Sequence, residues 1–139
     1  MSEQSTSSEL AGLSLQLAAV LETSPVGAPD LAEVKAWLGL DAEDTTDDVV
    51  LTESLMAGLA AQAMVVAYPV DIDTLEPVMP SDLREAIFLR TQRLAARRNS
   101  PEAVVGITGT GGDFVGARLT STDPDIMRLE GPWLLIAIA

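Results

Sequence analysis

The chain of 139 residues contains no cysteine and no histidine. Without cysteine it has no disulfide and no thiolate chemistry, and without histidine it lacks the commonest general base and the commonest metal ligand. Aromatic residues make up only 4% of the chain, so alanine, leucine and valine carry most of the apolar character, which favours packed helices. These absences predict a protein that is not an enzyme and that needs no cofactor and no metal.

Basic residues are also scarce: 8 lysines and arginines face 21 acids, for a net charge of −13. Residues 1–80 hold 14 of the acids and a single base, Lys35, whereas residues 81–139 hold 7 acids and 7 arginines. Binding to phosphate requires a net basic footprint. The chain as a whole is therefore a poor ligand for free nucleic acid.

Signals for export or membrane insertion are missing as well. The stretch Met1–Leu10 has no basic segment followed by an apolar run, as a secretory signal requires. The longest apolar run, Leu55–Ala67, is shorter than the roughly 20 residues that span a bilayer. The sequence predicts a cytoplasmic origin and no membrane partner.

Three pairs of carboxylates are candidates for metal ligands: Asp47 with Asp48, Asp71 with Asp73, and Asp123 with Asp125. The first and third pairs lie at predicted helix starts, where the helix dipole favours acids. The second pair lacks the glycine turn and the terminal glutamate of a calcium loop. Their spacing alone leaves paired acid–base chemistry of the glycosidase type open, but no other motif supports it.

The predicted fold is mainly α: a small helical bundle with a central apolar helix, a glycine-rich β-hairpin and an extended C-terminal tail. Residues 1–27 form an N-terminal arm and linker, residues 28–132 the helical domain, and residues 133–139 the apolar tail. Helices are predicted at Leu10–Leu21, from an Asp30 N-cap to Leu38, from a Thr45 or Thr46 cap to about Ala67, from a Ser81 cap to about Arg98, and from Thr122–Asp125 to Gly131-Pro132.

The third of these helices is apolar on every side from Leu55 to Ala67, except at Gln62. A helix that is apolar all round is buried all round, so this one is predicted to lie at the centre of the bundle.

A turn-rich connector, Thr108–Asp113, separates two strand candidates at 104–107 and 114–120. This pattern predicts a hairpin at 104–120. The residues at its tip are Gly109, Gly111, Gly112 and Asp113. A nucleotide-binding loop would require a third glycine at the dinucleotide spacing, or a following Lys-Ser or Lys-Thr. The tip is therefore predicted to be a mobile turn, or a loop that projects into a ring lumen or onto a partner.

Five of the eight basic residues lie on one predicted helix: Arg84, Arg90, Arg93, Arg97 and Arg98. Arg90 and Arg97 fall on the same strip as its apolar residues, whereas Phe88 points elsewhere. This helix should therefore be contacted on more than one side, by more than its own core, and such contacts indicate an oligomer. Two interpretations stay open: the arginines pair with acids of their own chain, or Arg90 and Arg97 pair with acids of a neighbouring copy and set the register of that contact.

After Pro132 the chain is wholly apolar, from Trp133 to Ala139. Seven exposed apolar residues are an aggregation hazard, so this tail either packs on its own domain or adds to a partner by strand pairing or groove filling. The predicted interface comprises Arg84, Phe88, Arg90, Arg93, Arg97, Arg98, Trp133, Leu134, Leu135 and Ile136.

Two long segments carry a resemblance to a known family: LREAIFLRTQRLAARRNSPEAVVG (Leu83–Gly106) and, after the glycine-rich turn, RLTSTDPDIMRLEGPW (Arg118–Trp133). Upstream, DLAEVKAWLGL (Asp30–Leu40) precedes a long alanine-rich helix. In their order and spacing, these segments resemble the head-to-tail adaptor (connector) proteins of tailed bacteriophages, especially those that infect actinobacteria. The resemblance covers about residues 28–133 and rests on structural motifs.

The resemblance implies a structural virion protein of the neck, assembled in the host cytoplasm. It implies a closed ring, of about twelve copies, between the portal protein and a downstream connector, stopper or tail protein. Double-stranded DNA would pass through this ring without specific binding. Two features depart from the family: the N-terminal arm at 1–25, and an apolar tail where the family's tail is often basic. The alternative is a small helical protein-binding or regulatory domain outside any virion, which uses the arginine helix to hold an acidic peptide.

Overall fold

A computed structural model describes residues 2–99 and 123–135 of the chain. These residues form a mainly helical bundle, which confirms the predicted fold class at that level. Its helices are α1 (Ser2–Glu22), α2 (Leu31–Trp37), α3 (Asp48–Val65), α4 (Ser81–Asn99) and α5 (Pro124–Glu130), and a 3-10 turn follows at Gly131–Trp133. The predicted hairpin at 104–120, with Gly109, Gly111, Gly112 and Asp113, lies outside the described residues, as does Ile136.

Helix α1 is longer than predicted, because it begins at Ser2 and not at Leu10. The chain has no proline before Pro25, so no helix breaker opposes the earlier start. From residue 8 onward the helix is largely exposed, but Leu17 is only 6% exposed and belongs to the core. The end of the predicted arm is thus packed on the bundle.

Helix α2 forms where the sequence predicts it. The Asp30 side chain accepts from the Glu33 backbone N–H at 2.9 Å, and the Glu33 side chain accepts from the Asp30 N–H at 3.3 Å. This reciprocal capping box satisfies two otherwise unpaired donors. Gly39 follows the helix at a φ of +77°, the left-handed conformation in which glycine ends helices.

Helix α3 starts later and ends earlier than predicted. Neither threonine caps it: the Thr46 hydroxyl donates to Asp44 Oδ1 at 2.6 Å, and Asp47 holds the N-cap position without a side-chain bond. At the other end Val66 is extended, with φ −118° and ψ 154°. Val66 is already paired with Leu134 in an antiparallel bridge, and this contact replaces the last helical turn.

Helix α3 is central, since it packs against α1, α2 and α4, but the prediction that it is buried all round is wrong. Leu55 and Gln62 are fully buried, whereas Met64 is 80% exposed and Ala57 and Ala60 also face solvent. Among the described helices, α3 alone has the length and hydropathy of a membrane span, a property that buried core helices share. Among the described residues, one side of α3 is therefore exposed to solvent.

Helices α3 and α4 run antiparallel. Glu53 near the start of α3 pairs with Arg98 near the end of α4, and Gln62 near the end of α3 bonds to the Leu83 carbonyl near the start of α4. The helices approach closely at Gly58, where an added Cβ would lie 3.4 Å from Arg90 Cβ. Helix α4 begins one residue earlier than a Ser81 cap implies, because the Arg84 N–H bonds to the Pro80 carbonyl at 2.9 Å.

Helix α5 begins where the sequence predicts it, and its position shows which elements lie at each end of the bundle. The Asp123 side chain caps it, with Pro124 in the first turn. Asp123 also contacts Arg93 in the second half of α4, so the end of α4 and the start of α5 lie at the same end of the bundle. The opposite end carries the 66–80 connection and the start of the C-terminal tail.

Candidate interaction surface

The arginines of α4 are mostly paired within the chain. Ion pairs join Arg84 to Glu33, Arg90 to Glu130, Arg93 to Asp123 and Arg98 to Glu53. Arg97 is exposed and forms no ion pair with the residues that the structure describes. Pairing with the chain's own acids thus accounts for four of the five arginines, while contact of any of them with a second copy stays a prediction.

Phe88 lies in the core and not on the predicted interface. It is 4% exposed, its ring stacks on Trp37 with centroids 5.4 Å apart, and the Arg84 guanidinium lies 5.0 Å from its centroid. Trp37 Nε1 also donates to Glu85 at 3.3 Å. Stacking and a cation over the ring therefore cover Phe88 and join α2 to α4.

A buried polar network centres on Glu130, at the end of α5. This carboxylate is 3% exposed and accepts two hydrogen bonds from the Arg90 guanidinium, at 2.7 and 2.6 Å. Gln62 Nε2 donates to it at 3.0 Å, and the Tyr68 hydroxyl donates to Gln62 Oε1 at 2.8 Å. This Glu130 network ties α3, α4 and α5 together around a bidentate, charge-assisted pair.

The tyrosine in this network predicts a loss of stability in alkali. Burial, followed by the Glu130 carboxylate, raises the pKa of Tyr68 to about 12, against a smaller opposing effect of Arg90. The unfolded chain ionises first, near the ordinary pKa of 10.0, so it binds fewer protons between those two values and the free energy of unfolding falls as pH rises.

Tyr68 is the chain's only tyrosine, so phenolate absorbance follows its titration directly. We expect a midpoint near 12 in the folded protein, and a decline in unfolding free energy above pH 10 at up to about 1.4 kcal/mol per pH unit. Tyr68→Phe removes this decline. An ordinary tyrosine midpoint in the folded chain contradicts the network.

The first residues of the apolar tail pack on their own domain. The Ala67 N–H donates to the Trp133 carbonyl and the Leu135 N–H to the Val65 carbonyl, both at 2.8 Å. Trp133 packs against the core. Leu134 and Leu135 stay 45% and 57% exposed. Packing on the chain's own domain therefore describes Trp133, whereas the next two residues keep exposed surface on which a partner could bind.

Sequence reasoning missed a buried ion pair near the start of α3. Lys35 Nζ lies 2.9 Å from Asp48 Oδ1, and the two side chains are only 5% and 10% exposed. Nζ also donates to the carbonyls of Ala42 and Asp44 at 3.0 and 2.6 Å. The signal was present, since Lys35 is the single base among the first 80 residues and lies on the buried side of a predicted helix.

An exposed apolar loop was missed too. Residues 70–77, which we call the 70–77 loop, are closed by a bridge between Val70 and Pro77. Ile72 and Leu75 in this loop are 90% and 77% exposed. The sequence carried a signal for this exposed surface, because apolar residues stand among acids in a segment that is predicted to be a loop.

A groove of about 380 Å³ lies between the end of α1 and one side of α3. Its lining is mainly apolar and holds no charged residue. Two of its hydroxyls, those of Thr23 and Ser24, donate to the Val20 carbonyl at 3.0 and 2.7 Å. Within 2–99 and 123–135, no three acids are grouped as a metal ion requires.

No family model, no curated protein and no solved structure matches this chain.

Proposed function

We propose that this protein is a head-to-tail adaptor of a tailed bacteriophage: a structural virion protein that forms a ring between portal and tail and extends the DNA channel. The proposal combines the resemblance of residues 28–133 with the helical bundle. The described elements follow the order that the resemblance implies, with a capped short helix, a long alanine-rich helix, the arginine helix and a second capped short helix.

The observation that carries the proposal is apolar surface gathered at one end of the bundle. Met64, Leu134 and Leu135 are 80%, 45% and 57% exposed, and the bond from the Leu135 N–H to Val65 brings them near each other. Exposed apolar patches on a folded chain mark surfaces that bind other proteins. A subunit that is buried in an assembly has this property.

The proposal extends to the parts that lie outside the described residues. A glycine-rich hairpin at 104–120 would extend from one end of the bundle, toward the lumen or a partner. The apolar tail would continue from Leu135 at the other end, where it adds to a neighbour. The two ends then serve different neighbours, as an adaptor between two unlike proteins requires.

Charge supports a role around DNA without binding to it. The net charge is −13, and the loop before α3 exposes Asp41, Glu43 and Asp44. A channel lined by acids repels the phosphate backbone and lets the genome slide.

The test is to image particles of the virus that encodes this chain by electron cryomicroscopy, averaged around the neck. We expect a ring of density next to the portal into which the described bundle fits, with α3 and α4 antiparallel. Mass spectrometry of purified particles gives an independent measure of copy number. A neck without this density, or particles without this chain, overturns the proposal.

A small helical domain outside any virion is the second candidate. The internal pairing of the arginines favours a bundle that stands alone, but it leaves only Arg97 on α4 without a partner among the described residues to hold an acidic peptide. Four of the five α4 arginines are satisfied within one chain, so the bundle needs no neighbour to balance them. Light scattering after size exclusion, on the chain mixed with its portal protein, separates the two candidates. Co-elution with the portal supports the adaptor; no complex supports the isolated domain.

A further inference from the structure

The 70–77 loop presents two large apolar side chains to solvent. Ile72, at 90%, is the most exposed large hydrophobic residue in the described part of the chain, and Leu75 is 77% exposed. Contact between apolar side chains and water is unfavourable. Burial of these side chains against another molecule would remove that contact.

The loop is held rigidly by its backbone. The Asp71 N–H bonds to the Glu76 carbonyl at 2.9 Å, and the Leu75 N–H to the Asp71 carbonyl at 2.8 Å. Asp71 Oδ1 accepts from the Asp73 N–H at 2.8 Å. At the base, Val78 lies in a parallel bridge with Val26. A preordered loop loses little conformational entropy when it binds.

Leu75 is strained, with a φ of +60°, where glycine would be free of strain. It is the one non-glycine residue at positive φ among those described. A bulky residue kept at such a position, with its side chain in solvent, indicates a use for that side chain outside the fold.

The charges around these two side chains are of one sign. Asp71, Asp73 and Glu76 are exposed and form no ion pair with other described residues. Residues 66–80 contain no lysine or arginine. A binding surface for this loop must therefore supply cations at its edge.

We propose that the 70–77 loop inserts Ile72 and Leu75 into an apolar pocket of a different neck protein, bordered by lysines or arginines. A second copy of this chain is the weaker candidate, because the arginines of α4 are largely paired internally and the groove beside α3 is lined by no cation. This inference rests on the proposed function and names the contact that joins the adaptor to one neighbour.

The experiment measures binding of the full chain to two purified probes, the portal protein and the tail-side neck protein encoded by the same genome. We expect one of them to bind, with an affinity that weakens as salt rises. Leu75→Gly and Ile72→Ser should each raise the Kd at least about tenfold. The glycine relieves strain, so Leu75→Gly should leave the thermal unfolding midpoint unchanged or higher.

The matched control is Leu15→Ser, which alters an equally exposed leucine (74%) on α1 and should leave the Kd unchanged. Asp73→Asn combined with Glu76→Gln should reduce the salt dependence. If neither probe binds the unaltered chain, the proposed function fails and this inference with it. If a probe binds and Leu75→Gly binds equally well, the function stands and the inference is overturned. Self-association that Leu75→Gly abolishes also overturns it, in favour of a second copy.

Discussion

Replacement of Arg90 by alanine is expected to lower the free energy of unfolding by about 3–5 kcal/mol, the range for breaking one partner of a buried ion pair. The variant leaves Glu130, only 3% exposed, without its bidentate cation. Water reaches the Arg90 side chain, which is 22% exposed, so the lower part of the range is expected. Urea denaturation followed by circular dichroism measures the change.

The same variant should loosen the C-terminal elements selectively. Glu130 holds the end of α5 against α3 and α4, and Trp133 and Leu135 follow directly. Amide hydrogen exchange of residues 124–135 should therefore accelerate more than that of α3 in Arg90→Ala. A uniform change across the bundle contradicts the role of the Glu130 network as the anchor of this segment.

Arg98→Ala provides the matched control on the same helix. The Arg98–Glu53 pair has a similar distance, 3.0 Å, but its side chains are 49% and 32% exposed, and exposed pairs contribute about 0–1 kcal/mol. A double variant, Arg90→Met with Glu130→Leu, should recover most of the lost stability, because it removes both charges. If Arg90→Ala costs no more than Arg98→Ala, the burial of the pair has no energetic consequence.

The second large effect is expected for Lys35→Met, again about 3–5 kcal/mol for an isolated buried charge. Methionine keeps the apolar stem and loses the ammonium group, so Asp48 is left buried without its cation. The carbonyls of Ala42 and Asp44 lose their donor at the same time, and an unsatisfied buried acceptor adds to the cost.

Denaturation and hydrogen exchange report on this variant separately. Unfolding should shift to lower urea, and the amides of residues 40–47 should exchange faster, because Lys35 holds that loop against α3. Arg128→Met is the control, since Arg128 is 76% exposed and surface changes stay within about 0.5 kcal/mol. Equal stability of the Lys35 and Arg128 variants contradicts the prediction.

The helices were predictable because their signals act locally. The Asp30 capping box, the Asp123 cap with Pro124, and the left-handed Gly39 depend on residues within one turn. The end of α3 was predicted wrongly because a contact between residues distant in sequence intervened. The last predicted turn of α3 is replaced by the bridge from Val66 to Leu134, and no local pattern places those two residues together.

The candidate surface was less predictable, for the same reason. The clustering of arginines on α4 is visible in the sequence, but their partners are not. Glu130 is 40 residues from Arg90 and 68 from Gln62, so packing alone selects it from 21 acids. Exposure of Ile72 and Leu75 is likewise a property of the folded loop, since apolar composition alone suggests burial.

The amino-acid sequence by itself determined the helical class, the positions of α2 and α5, and the separation of an acidic first half from an arginine-bearing helix. Backbone preferences, caps and apolar periodicity operate over a few residues and need no tertiary structure. Only the tertiary structure decided which carboxylate each arginine meets, that Lys35 and Glu130 are buried, and which side of α3 stays open. Those outcomes depend on how helices distant in sequence pack, because burial and ion pairing are set by neighbours in space.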